Sequence, residues 1–297
     1  MGVNKTKKEK SKLRKYLFFL SVIILSFPAW ADEGKKESAF DSVINSGILR
    51  CGYGTWEPGV YKDLQTGKMK GLFVDMMSEV AKISKIKVQW VSEVDWGQIP
   101  QSLRSKKIDA FCAGMANDAV RSKQLSYTNP LSYWSFDVIV RADDSRFSPD
   151  QKIELSDLNK PKYSMAYSEG DVLETIKLTE LPDVKGVPLP PLGTPADNLM
   201  NVLTKKTDFV VFPRVMIQGY EKQYGTGKLR LLKMKTPLRV YGNVIAVDIS
   251  EHELVNFLNA GIFEFINSSS YDRVLAPYKK DYPGAFLKPK LNYNLAD

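Results

Sequence analysis

The chain has 297 residues, 43% of them hydrophobic, and a formal net charge of +8 from 42 Lys and Arg against 34 Asp and Glu. Seven of those basic residues and one acid, Glu9, lie before residue 32, so the charge of the remainder is only +2. Its lysines are scattered and form no clustered basic face, which excludes nucleic-acid binding. Later apolar stretches such as "LRVYGNVIAV" are too short to cross a bilayer, a task for about 20 residues.

Residues 1–31 have the three parts of a secretory signal peptide. Lys5 to Lys15 supply a basic front, "YLFFLSVIILSF" an apolar run of a dozen residues, and "AWA" at Ala29–Ala31 the small residues before a cleavage site. Cleavage there makes Asp32 the first residue of an exported, periplasmic protein; an uncleaved segment serving as a membrane anchor is the alternative. The remaining chain of about 266 residues exceeds a usual single core and points to two lobes. Cys51 and Cys112 fall in two expected strands, "ILRCGYG" and "DAFCAGM". In an oxidising compartment they either pair, provided their Cα atoms come within about 7 Å, or serve as two small buried hydrophobes.

From the mature end, "AFDSVINSG" predicts a short helix ending at Gly47, and "ILRCGYG" a short strand. "GLFVDMMSEVAKISK" puts Phe73, Met76, Met77, Val80 and Ile83 on one helical face. "IKVQWV" alternates as a strand, a helix is expected after Asp95 in "WGQIPQSLRSKK", and "IDAFCAG" is the next strand. This β-α-β-α-β series argues for a parallel sheet covered by helices. The run 110–134 then clears space at a strand end with Ala113, Gly114 and Ala116 and places Asp118 and Arg121 where a helix is expected to start. After "FDVIVRADD" a similar series follows: strand "KYSMAYS", a helix beginning beside Gly170, and a helix with Thr194 as N-cap and Pro195 at its first position. Then come strand "TDFVVF", strand "YGNVIAVDIS" and helix "EHELVNFLNAGIFEFIN". The proline-rich "LPDVKGVPLPPLG" is expected to be a loop inside this half. The chain should cross between lobes near 132–142 and 237–247.

Enzyme constellations are thin. The one histidine, His252, sits in a charged helix start, so a Ser-His-Asp arrangement and a Cys/His zinc site both lack their parts. No G-x-x-x-x-G-K-[ST] run is present, and no metal or other cofactor is expected.

The ordered motifs "GILRCG" (47–52), "GLFVDM" (71–76), "WGQIPQSLRSKKID" (96–109), "GMANDAVR" (114–121) and "YTNPLSY" (127–133) resemble those of periplasmic solute-binding proteins of the amino-acid class, extracellular solute-binding protein family 3. The resemblance covers nearly all of residues 45–282. It implies an α/β, two-lobed periplasmic-binding-protein-like (type II) fold with a ligand cleft between the lobes. Residues 1–31 would be the signal peptide, 32–134 lobe 1, 135–242 lobe 2 and 243–297 a return segment completing the two-lobed domain. It also implies a monomer that captures a small polar carboxylate or amino-acid-like solute by lobe closure and delivers it to the permease of an ABC transporter.

Carried onto this chain, the resemblance makes Arg121 the clamp for a ligand carboxylate, since its planar fork of donors fits one bidentately. A plain ion pair with Asp118 is the other role open to it. Gly114 and Ala116 would let the ligand approach the main chain, and Trp96 would face its side chain. Trp56 and Glu57 lie in the loop where relatives carry an aromatic wall, with Glu57 suited to a cationic group. Two departures bear on specificity: Ala116 replaces a side-chain donor, and Pro213 stands where the family's amino-group-binding aspartate would fall. Gly170 and Asp171, at a helix start of the second lobe, offer a replacement acid, or Asp171 is simply a helix cap. Two further readings remain: an accessory protein that closes on a protein partner, and an enzyme like the cyclohexadienyl dehydratases, for which Glu57 or Asp171 would supply the acid.

Overall fold

A computed structural model of the protein describes residues 37–189, 195–235 and 238–290. The expected signal peptide, the cleavage site and the Thr194 cap lie outside the described residues. Helix α1 (Ala39–Ser46) opens on Ser38, whose hydroxyl accepts the Asp41 N–H, and closes on Gly47 at φ +67°. Only glycine takes that left-handed conformation without strain, which is why the helix stops there.

Strand β1 (Ile48–Tyr53) lies parallel to both β4 (Lys87–Glu93) and β5 (Ala110–Ala116), with helix α2 (Leu72–Ile83) between them in the chain. Phe73, Met76, Met77 and Val80 of α2 are fully buried, as the helical spacing requires, whereas Ile83, the last residue of the helix, is exposed. A small hairpin, β2 (Tyr61–Lys62) with β3 (Met69–Lys70), precedes α2. The helix expected after Asp95 begins as one tight 3-10 turn at Trp96–Gln98 and continues as α3 (Ile99–Arg104), with Pro100 in its first turn. Beyond β5 no full helix forms: residues Arg121–Lys123 make a single 3-10 turn before β6 (Leu125–Tyr127).

Two long strands carry the chain from one half of the molecule to the other. In β7 (Ser132–Arg141) the first half pairs with β12 (Arg239–Asp248), and the second half pairs with β10 (Phe209–Pro213) and β11 (Leu229–Leu231). Strand β12 then leaves β7 for β5 and β6, changing partners at Asn243, which sits opposite both Ser132 and Ala116. The Asn243 amide donates to Ser132 Oγ at 3.0 Å, with both residues fully buried, so the change of partner is pinned by a side-chain bond that excludes water. The main sheet has the order β4-β1-β5-β12-β7-β10-β8-β9.

The second half holds α4 (Leu155–Leu158), β8 (Ser164–Ser168), α5 (Val172–Glu180), β9 (Lys185–Leu189), α6 (Pro195–Leu203), β10 and α7 (Arg214–Tyr224). Strand β9 corrects the expectation of a loop at "LPDVKGVPLPPLG". It pairs in parallel with β8 at the edge of the sheet, with Pro188 opposite Tyr167. An edge strand needs ladder bonds on one side only, so a residue without an N–H is tolerated there. Helices α8 (His252–Asn267) and α9 (Ser269–Asp281) return to the first half and pack on α2. The buried Tyr271 anchors α9 by donating its hydroxyl to the Leu131 carbonyl at 2.8 Å. Among the described residues no helix is long and apolar enough to cross a membrane, and no His/Cys/Asp/Glu cluster suited to a metal ion occurs.

Candidate functional site

Strands β5, β8 and β10 end at one cleft of about 320 Å³, and the first half of β7 runs along it. From the first half it is lined by Trp96, Ala116, Arg121 and Gln124, and from the second by Ser168, Glu169, Gly170 and Asp171. Between them stands an aromatic wall of Trp134, Phe136 and Phe212, with Pro213 beside it. Ligand sites are expected at the carboxyl ends of strands in open α/β sheets.

Arg121 is held rather than loose. Asp118, with a side chain 2% exposed, accepts the Arg121 backbone N–H on Oδ1 at 2.8 Å and places Oδ2 2.9 Å from Arg121 Nε. Both readings of the sequence therefore hold at once: Arg121 is ion-paired with Asp118 and also lines the cleft. The pairing fixes the plane of the guanidinium before any ligand arrives, which lowers the ordering cost of a bidentate contact.

Asp171 faces the same cleft from the start of α5. Its Oδ1 accepts the Leu173 N–H at 2.7 Å, so it caps the helix as an Asp at that position should. The preceding Gly170 has φ +73°, a turn that turns its N–H onto Glu174 Oε2 at 2.8 Å. Removal from water pushes the Asp171 carboxyl up to about 6; Arg121 pulls it back down and Asp118 adds a smaller upward push. An acid held this way in a cleft is a partner in waiting for a cationic group. The charged groups lining the cleft are Arg121, Glu169 and Asp171, and Arg121 already answers Asp118, so the balance is anionic.

Trp96 lines the cleft from the 3-10 turn, its ring set edge-on to Phe111 at 5.2 Å between centroids. Three expected site residues do not line it. Trp56 is core: it is 5% exposed, donates Nε1–H to the Ala113 carbonyl at 3.0 Å, and packs on Phe73 and Trp134. It buttresses the wall from behind instead of forming it. Glu57 is half-exposed and lies 3.5 Å from Lys222 Nζ, away from the cleft. Gly114 also falls out of the lining, because its small size serves packing: at φ +66°, an added Cβ would lie 2.2 Å from Phe73 Cζ. Ala116 alone of the small residues reaches the cleft, next to Met115.

Cys51 and Cys112, on the neighbouring parallel strands β1 and β5, form a disulfide with Cα atoms 5.5 Å apart. It closes a loop that contains α2 and ties together the strands leading to the cleft. Trp134, Phe136, Phe212 and Asn198 are among the lining residues that motif reading missed. The alternation of Trp134 and Phe136 in "SYWSFD" puts them on one face of β7, yet nothing local says which face the cleft takes.

The family of bacterial extracellular solute-binding proteins, family 3, matches residues 49–281. The chain belongs to that family. Its relatives include the L-cystine-binding protein TcyA of Bacillus subtilis (strain 168), 23% identical over 201 residues, which span 67% of this chain and 70% of TcyA. Among solved structures, the ancestral amino acid-binding protein AncCDT-1, a precursor of cyclohexadienyl dehydratase, is 22% identical with a TM-score of 0.64, covering 81% of this chain and 99% of that one. A putative binding component of an ABC transporter from Wolinella succinogenes DSM 1740, complexed with lysine, is 23% identical with a TM-score of 0.65, covering 80% and 96%. These likenesses establish the two-lobed α/β fold, and the family establishes solute binding as the role.

Proposed function

We propose that this chain is the periplasmic substrate-binding component of an amino-acid ABC transporter and captures a zwitterionic, amino-acid-like solute. In this reading residues 1–31 are a cleaved signal peptide, 32–134 form lobe 1, 135–242 lobe 2, and 243–297 complete the two-lobed domain. The observation that carries it is the presence of Arg121 and Asp171, from opposite halves of the fold, in the lining of one cleft. Arg121 takes the solute carboxylate, Asp171 takes its ammonium, and Trp96 with the β7–β10 wall receives the side chain. Asp171 thereby replaces the acid whose family position is Pro213.

A zwitterion engaging one charged group from each lobe contacts both only when the lobes are closed. That difference in contacts between open and closed states is what shifts the population toward closure. The membrane permease then recognises the closed monomer. For catalysis on this fold, Glu57 is not in the cleft lining and pairs with Lys222, and Asp171 is the acid that this reading assigns to the solute ammonium instead.

A thermal-shift screen of residues 32–297 against amino acids, polyamines, small carboxylates and sulfonates tests the reading. At a hundredfold excess over Kd a true ligand adds about 2.7 kcal/mol, a rise of roughly 5–10 °C for a chain of this size. Amino acids should produce that rise, and Arg121→Ala should abolish it. A folded protein that responds to none of the panel contradicts it.

A further inference from the structure

The charges around the cleft do not cancel. Among the described residues its lining holds one cation, Arg121, and two acids, Glu169 and Asp171. Asp118 Oδ2 stands 2.9 Å from Arg121 Nε, so the guanidinium has a counter-charge before a solute arrives. A zwitterion brings one charge of each sign and leaves this excess of negative charge as it was. With the solute carboxylate on Arg121 and its ammonium on Asp171, Glu169 remains unanswered.

Glu169 is open to a solute in a way that its neighbours are not. It is exposed, which puts it at the mouth of the cleft, and its backbone N–H bonds the Leu189 carbonyl at 3.2 Å. Its carboxylate has no hydrogen bond or ion pair among the described residues, whereas Asp171 caps α5 and Glu174 accepts the Gly170 N–H at 2.8 Å. The sheet decides what Glu169 stands beside. Strand β8 runs parallel to β10 with Ala166 opposite Val210. Carried three residues on, that register brings Glu169 alongside Pro213 and next to Phe212. The acid at the mouth therefore adjoins the buried aromatic wall of Trp134, Phe136 and Phe212.

An apolar wall with an acid at its outer end matches one kind of side chain. Lysine and arginine lay their methylene stems along apolar surface while the charged head stays in water. Ring faces attract the cation as well. A neutral tail would use the wall and leave the acid unanswered, and an acidic tail would meet Glu169 with like charge.

We infer that the cleft selects dibasic amino acids, with the stem of the side chain along the aromatic wall and its terminal cation at Glu169. This rests on the zwitterion reading above and deepens it: Arg121 and Asp171 hold what all amino acids share, while Glu169 and the wall choose among them. The affinity for a cationic group that the sequence assigned to Glu57 thereby passes to a residue of the other half.

The test is titration calorimetry on the chain from Asp32 with pairs of similar shape: lysine against norleucine, and arginine against citrulline. In at least one pair the cationic member should bind tenfold or more tightly, and glutamate should bind more weakly than either neutral member. Because Glu169 is exposed, Glu169→Gln should leave the fold and the affinity for the neutral members unchanged while shrinking the cation preference at least threefold. Neutral members or glutamate binding as tightly as the cationic ones would overturn this inference and leave the zwitterion reading intact. So would a cation preference that Glu169→Gln does not reduce. Absence of binding by every member, alongside a flat thermal-shift screen, would overturn both.

Discussion

Replacing Asp171 by asparagine separates what this residue does for the fold from what it does for a ligand. Asparagine caps helices as well as aspartate, so the bond from the Leu173 N–H survives the change. What disappears is a half-buried carboxylate whose pKa has risen from 3.8 to about 6, chiefly through loss of water. At 1.36 kcal/mol per pKa unit, ionising it at neutral pH costs the folded chain at most about 3 kcal/mol. Relaxation of the site leaves an expected gain for Asp171→Asn of about 1–3 kcal/mol, a rise in Tm of roughly 2–10 °C at pH 7 without ligand. The direction with pH follows from which state ionises first. The unfolded chain loses the proton near 3.8 and the folded chain near 6, so the cost grows across that interval and is complete above it. Wild type and variant should therefore melt together at pH 3.5 and diverge by pH 7. Ligand binding should run the opposite way: the variant, lacking the anion, should lose tenfold or more in affinity. In the wild type, affinity should fall about tenfold from the neutral plateau to pH 5 as Asp171 takes up its proton. Arg121 and Asp118 act on Asp171 by charge, the Leu173 and Glu174 backbone N–H groups act on it by hydrogen bonding, and the Tyr241 hydroxyl feels the Asp171 charge in turn. A variant no more stable than wild type at pH 7, or equally shifted at pH 3.5, would refute this account of Asp171.

Removing the disulfide with Cys51→Ala and Cys112→Ala should cost about 4 kcal/mol, the chain-entropy figure for residues separated by 61 positions, and lower the Tm by roughly 8–16 °C in calorimetry. A fall under 2 °C would show that the strands β1 and β5 need no covalent tie. The two tryptophans first assigned to the ligand should now behave differently. Trp56→Ala should destabilise by about 3–5 kcal/mol through lost packing, as for a large core side chain. Trp96→Ala, which opens the cleft wall, should lose at least tenfold in ligand affinity for a smaller loss of stability; the reverse order, read by melting and titration together, would contradict their placement.

Elements whose signals are local were legible from the residues alone. Gly47 ends α1, Asp171 starts α5, and the spacing of Phe73, Met76, Met77 and Val80, though not the exposed Ile83, sets the buried face of α2. The β-α-β order placed Cys51 and Cys112 on strands that prove to be adjacent. What stayed hidden depends on contacts far apart in the chain. Pro188 breaks the local pattern of a strand, yet β9 exists because β8 offers it an edge. Gly114 at a strand end resembled an opening for a ligand, but its neighbour is Phe73, forty-one positions earlier, packed where a Cβ would go. Trp56 looked like a cleft residue until the Ala113 carbonyl claimed its indole N–H. The aromatic wall and Asn198 come from β7, β10 and α6, which converge only through the strand order of the sheet. Arg121 and its pairing with Asp118, three positions earlier, were both legible; that the two roles coexist in one cleft needed the fold.

The measurement that bears most directly on the central claim compares one amino-acid ligand with its two halves. Titration calorimetry at pH 7.5 would use the amino acid giving the largest thermal shift, the amine that lacks its carboxylate, and the acid that lacks its ammonium. With Arg121 and Asp171 holding opposite poles of a zwitterion, both truncated compounds should bind at least a hundredfold more weakly than the parent. An acid without the ammonium that binds as tightly as the amino acid would remove Asp171 from recognition and contradict the account.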